Sequence, residues 1–289
     1  MVLAKHIAAL LIAACLAGAG AGEAATVLAP PNPIQKIAMD VRGRAYLFRG
    51  LIGAIDWGMD ELAGRITRTG VVATIDSHMA WRATADQAII DYRRDPAPIA
   101  VIGHSIGGDS AVEFAELLNA AHVPVSLLVT YDPTRMADKV PANVERYINL
   151  YQSSNILGGA DLGLDRGFHG HYASFNLKDR PEIIHINLDK FDHIQEQLAA
   201  KIRTLAAISA RSEADAVPLH IVFPATGPIE LWDSGMPVSA QAGDTLETLA
   251  ATYHVPLWAL IQINQKSEHA ALTEGERIIV PRFLGAAKK

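Results

Sequence analysis

Pro98-Ile99-Ala100-Val101-Ile102-Gly103-His104-Ser105-Ile106-Gly107-Gly108 is the stretch on which the fold turns. Its first part is an apolar run of strand length that stops at Gly103. A helix-like segment follows from Asp109 to Ala121, with Ala111, Val112, Phe114, Ala115, Leu117 and Leu118 on its apolar side. Between them Ser105 stands in Gly-x-Ser-x-Gly. In a strand-turn-helix setting that pentapeptide forms a turn so tight that only glycine fits on either side, and the turn lifts the hydroxyl clear of the sheet at a helix N-terminus. The pentapeptide alone recurs by chance. A buried strand before it and a helix after it make Ser105 a candidate nucleophile rather than a residue of an ordinary βα turn.

Outward from this stretch the pattern alternates. Ala45 to Phe48 reads as a short strand, Trp57 to Thr67 as a helix stopped by Gly70, Val71 to Ile75 as a strand and Ala83 to Arg93 as a helix. Beyond the elbow, Val125 to Tyr131, Arg146 to Tyr151 and Glu182 to Leu188 read as strands, and Ile194 to Ile208 as the last helix. A glycine-rich excursion runs from Ser153 to Asn176 and is the one segment with the length of a lid. Strands alternating with helices predict a parallel sheet of about six strands, covered on both faces and joined by right-handed crossovers.

This combination resembles the α/β-hydrolase superfamily, in particular bacterial serine hydrolases of the lipase and thioesterase type. The resemblance implies a Ser, Asp, His triad in that chain order, with acid and base at the C-terminal ends of later strands. Asp132 fits the acid: it ends the strand Val125 to Tyr131 and is followed by Pro133 and Thr134. Asp161 and Asp165 are rivals. His193, just before the last helix, fits the base. His185 reads as packed inside a strand, His169 and His171 as loop alternatives, and His104 as structural, with its ring turned away from the serine hydroxyl. The oxyanion of a tetrahedral intermediate needs two N–H donors; the expected ones are the N–H of Ile106 and, from the loop after the first strand, that of Leu51. Arg49 either orients that loop, binds an anionic group or forms a surface ion pair. His78 and Trp81 line an acyl pocket or simply pack. No metal or other cofactor is expected, because no dinucleotide, Walker or His-Glu-x-x-His motif occurs.

The 289 residues allow one full domain and a small second one, and the net charge of -6 argues against nucleic acid as a partner. Residues 1–25 have the order of a secretory signal peptide: Lys5 and His6, the apolar Ile7 to Leu16, then a small-residue stretch. The apolar run is too short to span a bilayer comfortably, so no transmembrane helix is expected in the mature chain. An exported protein of the periplasm or cell envelope follows. Ile12-Ala13-Ala14-Cys15 also resembles a lipobox, and Cys15 is the only cysteine, so cleavage downstream leaves a chain without disulfides.

From Arg211 to Met236 the periodicity fails and prolines recur, which reads as a linker between a body over 26–210 and a module over 237–283, with Leu219 to Phe223 as a candidate short strand inside it. In that module Asp244 and Glu247 are spaced as a capping box opening a helix with Leu246, Leu249, Ala250 and Tyr253 on its buried face. A second helix runs through Leu257, Leu260 and Ile261 to Asn264, and a strand from Arg277 to Val280 closes at Pro281. Gly-Asp-Thr-Leu, Tyr-x-Val, Ile-Asn and Leu-x-x-Gly-x-x-Ile-x-Val-Pro together resemble a LysM domain over essentially its whole length. The resemblance implies a βααβ fold that binds peptidoglycan or another glycan containing N-acetylglucosamine. Its groove would lie between Gly243, Asp244, Thr245 and Leu246 on one side and Ile263 and Asn264 on the other.

The whole chain thus reads as an exported serine hydrolase for a small carboxylic ester or thioester, tethered to the wall. Two alternatives stand beside it: a hydrolase fold kept without activity as a peptidoglycan-binding platform, and a wall amidase or O-acetyl esterase using the same triad.

Overall fold

The computed structural model describes residues 41–51, 57–134, 136, 139–154, 159, 161–207 and 216–284. The expected signal peptide over 1–25, with Cys15, lies outside them.

Seven strands form a parallel sheet: β1 (Arg44–Arg49), β2 (Val72–Ser77), β3 (Ile99–His104), β4 (Leu127–Tyr131), β5 (Arg146–Tyr151), β6 (His171–Asn176) and β7 (Leu219–Val222), in the order β2-β1-β3-β4-β5-β6-β7. The central β3 and β4 are buried along their whole length, as strands covered on both faces must be. Their side chains alternate between two apolar layers. Ala100, Ile102, Val129 and Tyr131 pack beneath α1 (Trp57–Arg68) and α4 (Asp192–Ala207), whereas Ile99, Val101 and Leu128 pack against α2 (Trp81–Arg94) and α3 (Ile106–Ala120).

The C-terminal module is built from β8 (Trp232–Ser239), α5 (Leu246–Tyr253), α6 (Leu257–Asn264) and β9 (Arg277–Phe283), with β8 and β9 antiparallel around a small core of Leu246, Leu249, Leu260, Ile278 and Val280. The capping box forms one residue later than its expected start. Thr245 is the N-cap and exchanges hydrogen bonds with Thr248, while the Asp244 carboxylate accepts from the Gln241 N–H.

Three sequence expectations differ from the structure. Glu182 to Leu188 is not a strand: Ile183 is buried but Ile184 and Ile186 are half exposed, and the backbone closes turns at Arg180–Ile183 and Ile184–Asn187. The Asn187 carboxamide, accepting from the Ile184 N–H, fixes the second turn. The sixth strand is instead β6, at the end of the glycine-rich excursion, so that part of the excursion is sheet and not lid. Finally, the expected linker supplies β7, the candidate strand within it, and β8 already starts at Trp232. Leu219 and Ile221 point inward with exposed His220 between them, a period-two signal only four residues long.

The body and module belong to one compact unit. β7 is an edge strand, and the free backbone N–H and carbonyl of Val222 both pair with the side-chain amide of Gln262 on α6, at 2.8 and 3.1 Å. Phe175, Phe223, Trp232, Trp258 and Phe283 interlock across the seam with ring centroids 5.5–6.5 Å apart.

Candidate active site

The turn between β3 and α3 holds Ser105 at φ 57°, ψ -130°, a conformation that L-residues rarely adopt. Two glycines make it possible. A Cβ on Gly103 would overlap the backbone of Gly107, and one on Gly107 would overlap the carbonyls of Phe48 and Arg49 at the end of β1. The serine N–H donates to the Tyr131 carbonyl at 2.8 Å, which locks the elbow to the end of β4. The next residue on that strand is Asp132, fully buried and also at positive φ (49°). Serine and carboxylate therefore emerge side by side at the C-terminal edge of the sheet.

The imidazole between them belongs to His185. Its Nε2 lies 2.9 Å from Ser105 Oγ and its Nδ1 2.8 Å from Asp132 Oδ2. With Nδ1–H donating to the carboxylate, Nε2 is free to take the hydroxyl proton. The second carboxylate oxygen, Oδ1, accepts from the Gln152 N–H at 3.0 Å. Ser105, His185 and Asp132 thus form a continuous chain of hydrogen bonds.

The assignment of the base to His193 is corrected by this geometry. His193 is exposed in the first turn of α4, beside Glu230, and the short 3-10 helix Leu188–Lys190 separates it from the relay. Once residues 182–188 turn instead of extending, His185 no longer packs in a sheet and is carried to the serine. A histidine followed closely by Asn187, in a stretch opened by Pro181, was the available signal for a loop.

The segment bearing His185 is held from three sides. His104, next to the serine, donates its Nε2–H to the His185 carbonyl at 2.8 Å. The buried Gln152 amide reaches the carbonyls of Leu177 and Ile183 at 3.0 and 3.3 Å, and Arg180 bonds the carbonyls of Pro224 and Gly227. Neither Gln152 nor Arg180 carries a motif, so sequence reading passed over both.

The remaining candidates serve elsewhere. Asp161 binds Asn149, Tyr172 and His220. Burial opposes its ionisation, but the bonds from His220, Tyr172 and Ser174 outweigh that and hold its carboxyl below the usual value. Asp165 accepts from the Gly167 N–H, and His169 is exposed. His171 is buried in the seam with the C-terminal module, bonded to Asp233 and Ser234. Arg49 forms an ion pair with Asp60, Trp81 packs with Arg82 over its ring, and the His78 carbonyl accepts from the Ser110 hydroxyl. Ile106 is the first residue of α3; Leu51 follows the buried Gly50 with its side chain exposed.

In the module, Gly243 and Thr245 lie exposed on the loop before α5, with Asp244 partly so. Leu246 is wholly buried in the module core. Asn264 is committed internally: its amide donates to Leu260 and Ile279 carbonyls and accepts from the Ile279 N–H at 2.7 Å, while Ile263 packs against the core of the body. The side chains of Leu246 and Asn264 thus serve the module's own core and strand, and that of Ile263 packs toward the sheet edge.

Residues 239–281 match the family model of the LysM domain. Among solved structures, the chain is similar to a protein of Xanthomonas campestris pv. campestris named as a hydrolase of the alpha/beta superfamily, with 18% identity covering 41% of this chain and 76% of that one at a TM-score of 0.30. It is also similar to an esterase of Pyrobaculum calidifontis, with 14% identity, 58% and 78% coverage and a TM-score of 0.41. A third is the esterase domain of a Rhodothermus marinus protein, with 15% identity, 57% and 88% coverage and a TM-score of 0.39. No curated protein matches the sequence. The parallel body with its elbow is α/β-hydrolase-like, and the βααβ module is a LysM domain.

Proposed function

We propose that this chain is an exported serine hydrolase that cleaves carboxylic esters or thioesters through an acyl-Ser105 intermediate and is held to peptidoglycan by its LysM domain. The relay from Ser105 Oγ through His185 to Asp132 is the observation that carries the reading. A serine hydroxyl is a poor nucleophile until a base takes its proton as the bond forms. His185 Nε2 stands where it can do so, and Asp132 holds the tautomer and stabilises the imidazolium.

The steps follow from that geometry. Ser105 Oγ attacks the carbonyl carbon, its proton passes to His185, and the carbonyl electrons move to oxygen. The Ile106 N–H, at the start of α3, is the first donor for that oxyanion. The end of β1 packs against Gly107, which makes the loop from Gly50 to Leu51 the source of the second. Collapse of the intermediate breaks the bond to the alcohol or thiol, which leaves with the proton from His185. Water, activated by the same imidazole, then releases the acid. For the wall, the exposed loop at Gly243 to Thr245 offers backbone groups to an N-acetyl amide, and the envelope location rests on the leader-like residues 1–25.

A fluorophosphonate probe tests the chemistry. Wild type should be labelled, Ser105→Ala and His185→Ala should not, and His193→Ala should label like wild type. Labelling retained in His185→Ala, or lost in His193→Ala, would return the base to His193. A well-folded wild type that stays unlabelled would leave the wall-binding platform as the better account.

A further inference from the structure

Asp161 takes no part in the relay, yet three adjacent strands converge on its carboxylate. Asn149 on β5 donates to Oδ1 at 3.3 Å, the Tyr172 hydroxyl on β6 donates to the same oxygen, and His220 on β7 bonds Oδ2 through Nδ1 at 3.1 Å. Asn149, Ser174 and His220 are neighbours in the sheet register, one row of polar side chains that meets the carboxylate. The row runs on to β4, where the Thr130 hydroxyl, two residues before Asp132, donates to the Asn149 carboxamide at 2.8 Å. The bond to Asp161 also raises the pKa of His220, against the burial that opposes its charge. The Asp161 side chain is still 30% exposed, so solvation alone does not call for so many partners.

What this anchor holds is the glycine-rich segment between β5 and β6. The segment leaves β5 pinned to Gln152, whose carboxamide oxygen accepts from the Ser154 N–H and hydroxyl at 3.2 and 2.7 Å. It returns to the same residue at Gly159, where φ is 81°. A Cβ there would lie 2.1 Å from the Gln152 carbonyl oxygen and 3.4 Å from Asp132 Oδ1, the oxygen that accepts from the Gln152 N–H. Gly159 therefore backs both the acid and the backbone that holds it. Asp161 comes two residues later, within about 7 Å of chain. Beyond it the segment is fastened separately, by the buried Leu162 and by the pairing of Val140 with Leu164.

We propose that Asp161 is a positioning residue for the relay: its anchor on β5, β6 and β7 keeps Gly159 packed on Asp132 and Gln152, and so keeps the acid dry and aimed at His185. The proposal rests on the acyl-serine reading above, in which the Asp132 carboxylate orients the imidazole and stabilises its charged form. Asp161 itself touches no reacting atom. Loosening it lets Gly159 lift from Asp132, and water that reaches the carboxylate weakens its hold on the base, because charges attract less strongly where the dielectric is higher. The segment with the length of a lid thus serves as a backstop for the acid.

The test follows kcat and KM for p-nitrophenyl acetate, and the rate of fluorophosphonate labelling, in variants shown to be folded by circular dichroism. Asp161→Asn should lower kcat and the labelling rate together by about tenfold with KM unchanged, since a displacement of less than 1 Å at the relay is sufficient. The His220 side chain is 64% exposed, so His220→Ala leaves the fold intact. It should nonetheless lower kcat about threefold, half of that loss on a free-energy scale, because Tyr172 and Asn149 still hold the carboxylate. The double variant Asp161→Asn/His220→Ala should be no slower than Asp161→Asn, as both changes act through one group. Wild-type kcat in Asp161→Asn, even with a lower urea midpoint, would overturn the proposal. So would losses that multiply in the double variant, or a raised KM at unchanged kcat, which would place the segment on the substrate instead. Failure of the acyl-serine reading looks different: wild type would not label at all.

Discussion

Ser105 sits at φ 57°, ψ -130° because the elbow needs it there, and that backbone is one that glycine adopts without penalty. The strain is stored in a single residue and stabilised by its surroundings, namely the bond to Tyr131 and the close packing at Gly103 and Gly107. Ser105→Gly should therefore abolish ester hydrolysis yet raise the unfolding free energy by about 1 kcal/mol, the balance of relieved strain against glycine's greater freedom when unfolded. Urea titration checks it, and a lower midpoint than wild type would show that the elbow is unstrained. At this scale the meeting of Ser105 and Asp132 was legible in the sequence, because Ser105 stands between Gly103 and Gly107 and Asp132 before Pro133, each at the end of a strand. The histidine that joins them was not. His185 lies eight residues before His193 in an apolar stretch, and only the turn chemistry around Asn187 distinguishes that stretch from a strand.

The segment from Leu177 to Lys190 shows what a largely irregular element needs in order to hold a side chain such as His185 in place. Its backbone cannot satisfy itself through a ladder, so its carbonyls are met by side chains. Gln152, directly after β5, meets several of them while its own N–H holds Asp132. Gln152→Leu keeps the N–H and removes the amide, so the Ile183 carbonyl loses its bond to that amide while the Leu177 and Arg180 carbonyls keep their backbone turn bonds, at a cost of about 1–3 kcal/mol. The expected result is a lower urea midpoint together with a lower kcat and little change in KM, because the base loses its support and the binding surface does not. A variant with wild-type kcat would remove Gln152 from the support of the base. No local pattern announces this role; a buried glutamine after a strand acquires it only when a distant loop folds over it.

Across the whole molecule, the body and the LysM domain are joined by a buried charge network at the opposite end of the sheet from Ser105. Asp233 on β8 accepts from Arg146 and Lys201, both at 3.3 Å, and from His171 and Ser234. Burial alone would raise its pKa, but the bond from His171 and the charges of Lys201, His171 and Arg146 outweigh it and hold the carboxyl below its usual value. A depressed carboxyl contributes stability above its unfolded value of about 3.9, lost as the pH falls through the folded value. The urea midpoint of wild type should therefore drop on acidification below about pH 4. Asp233→Asn should be about 3–5 kcal/mol less stable at neutral pH, because Arg146 and Lys201 lose the buried Asp233 charge, and should lose that part of the acid dependence. Parallel acid profiles for the two proteins would show that the network does not titrate as described.

Much of this was decided locally. The strand–elbow–helix around Ser105, the alternation that makes a doubly covered parallel sheet, and the βααβ module are written in short-range patterns. Periodicity, glycine placement and capping act within a few residues, so a single chain displays them directly. The tertiary structure alone decided which histidine meets the serine, that β6 joins the sheet and β7 forms its edge, and that the module caps that edge through Gln262 instead of trailing on a linker. Each of these depends on groups far apart in the chain, such as His185 with Ser105, Val222 with Gln262, and Asp233 with Arg146. A hydrogen bond or buried charge of that kind gains its worth only once both partners have been taken out of water together, and no short-range pattern records that event.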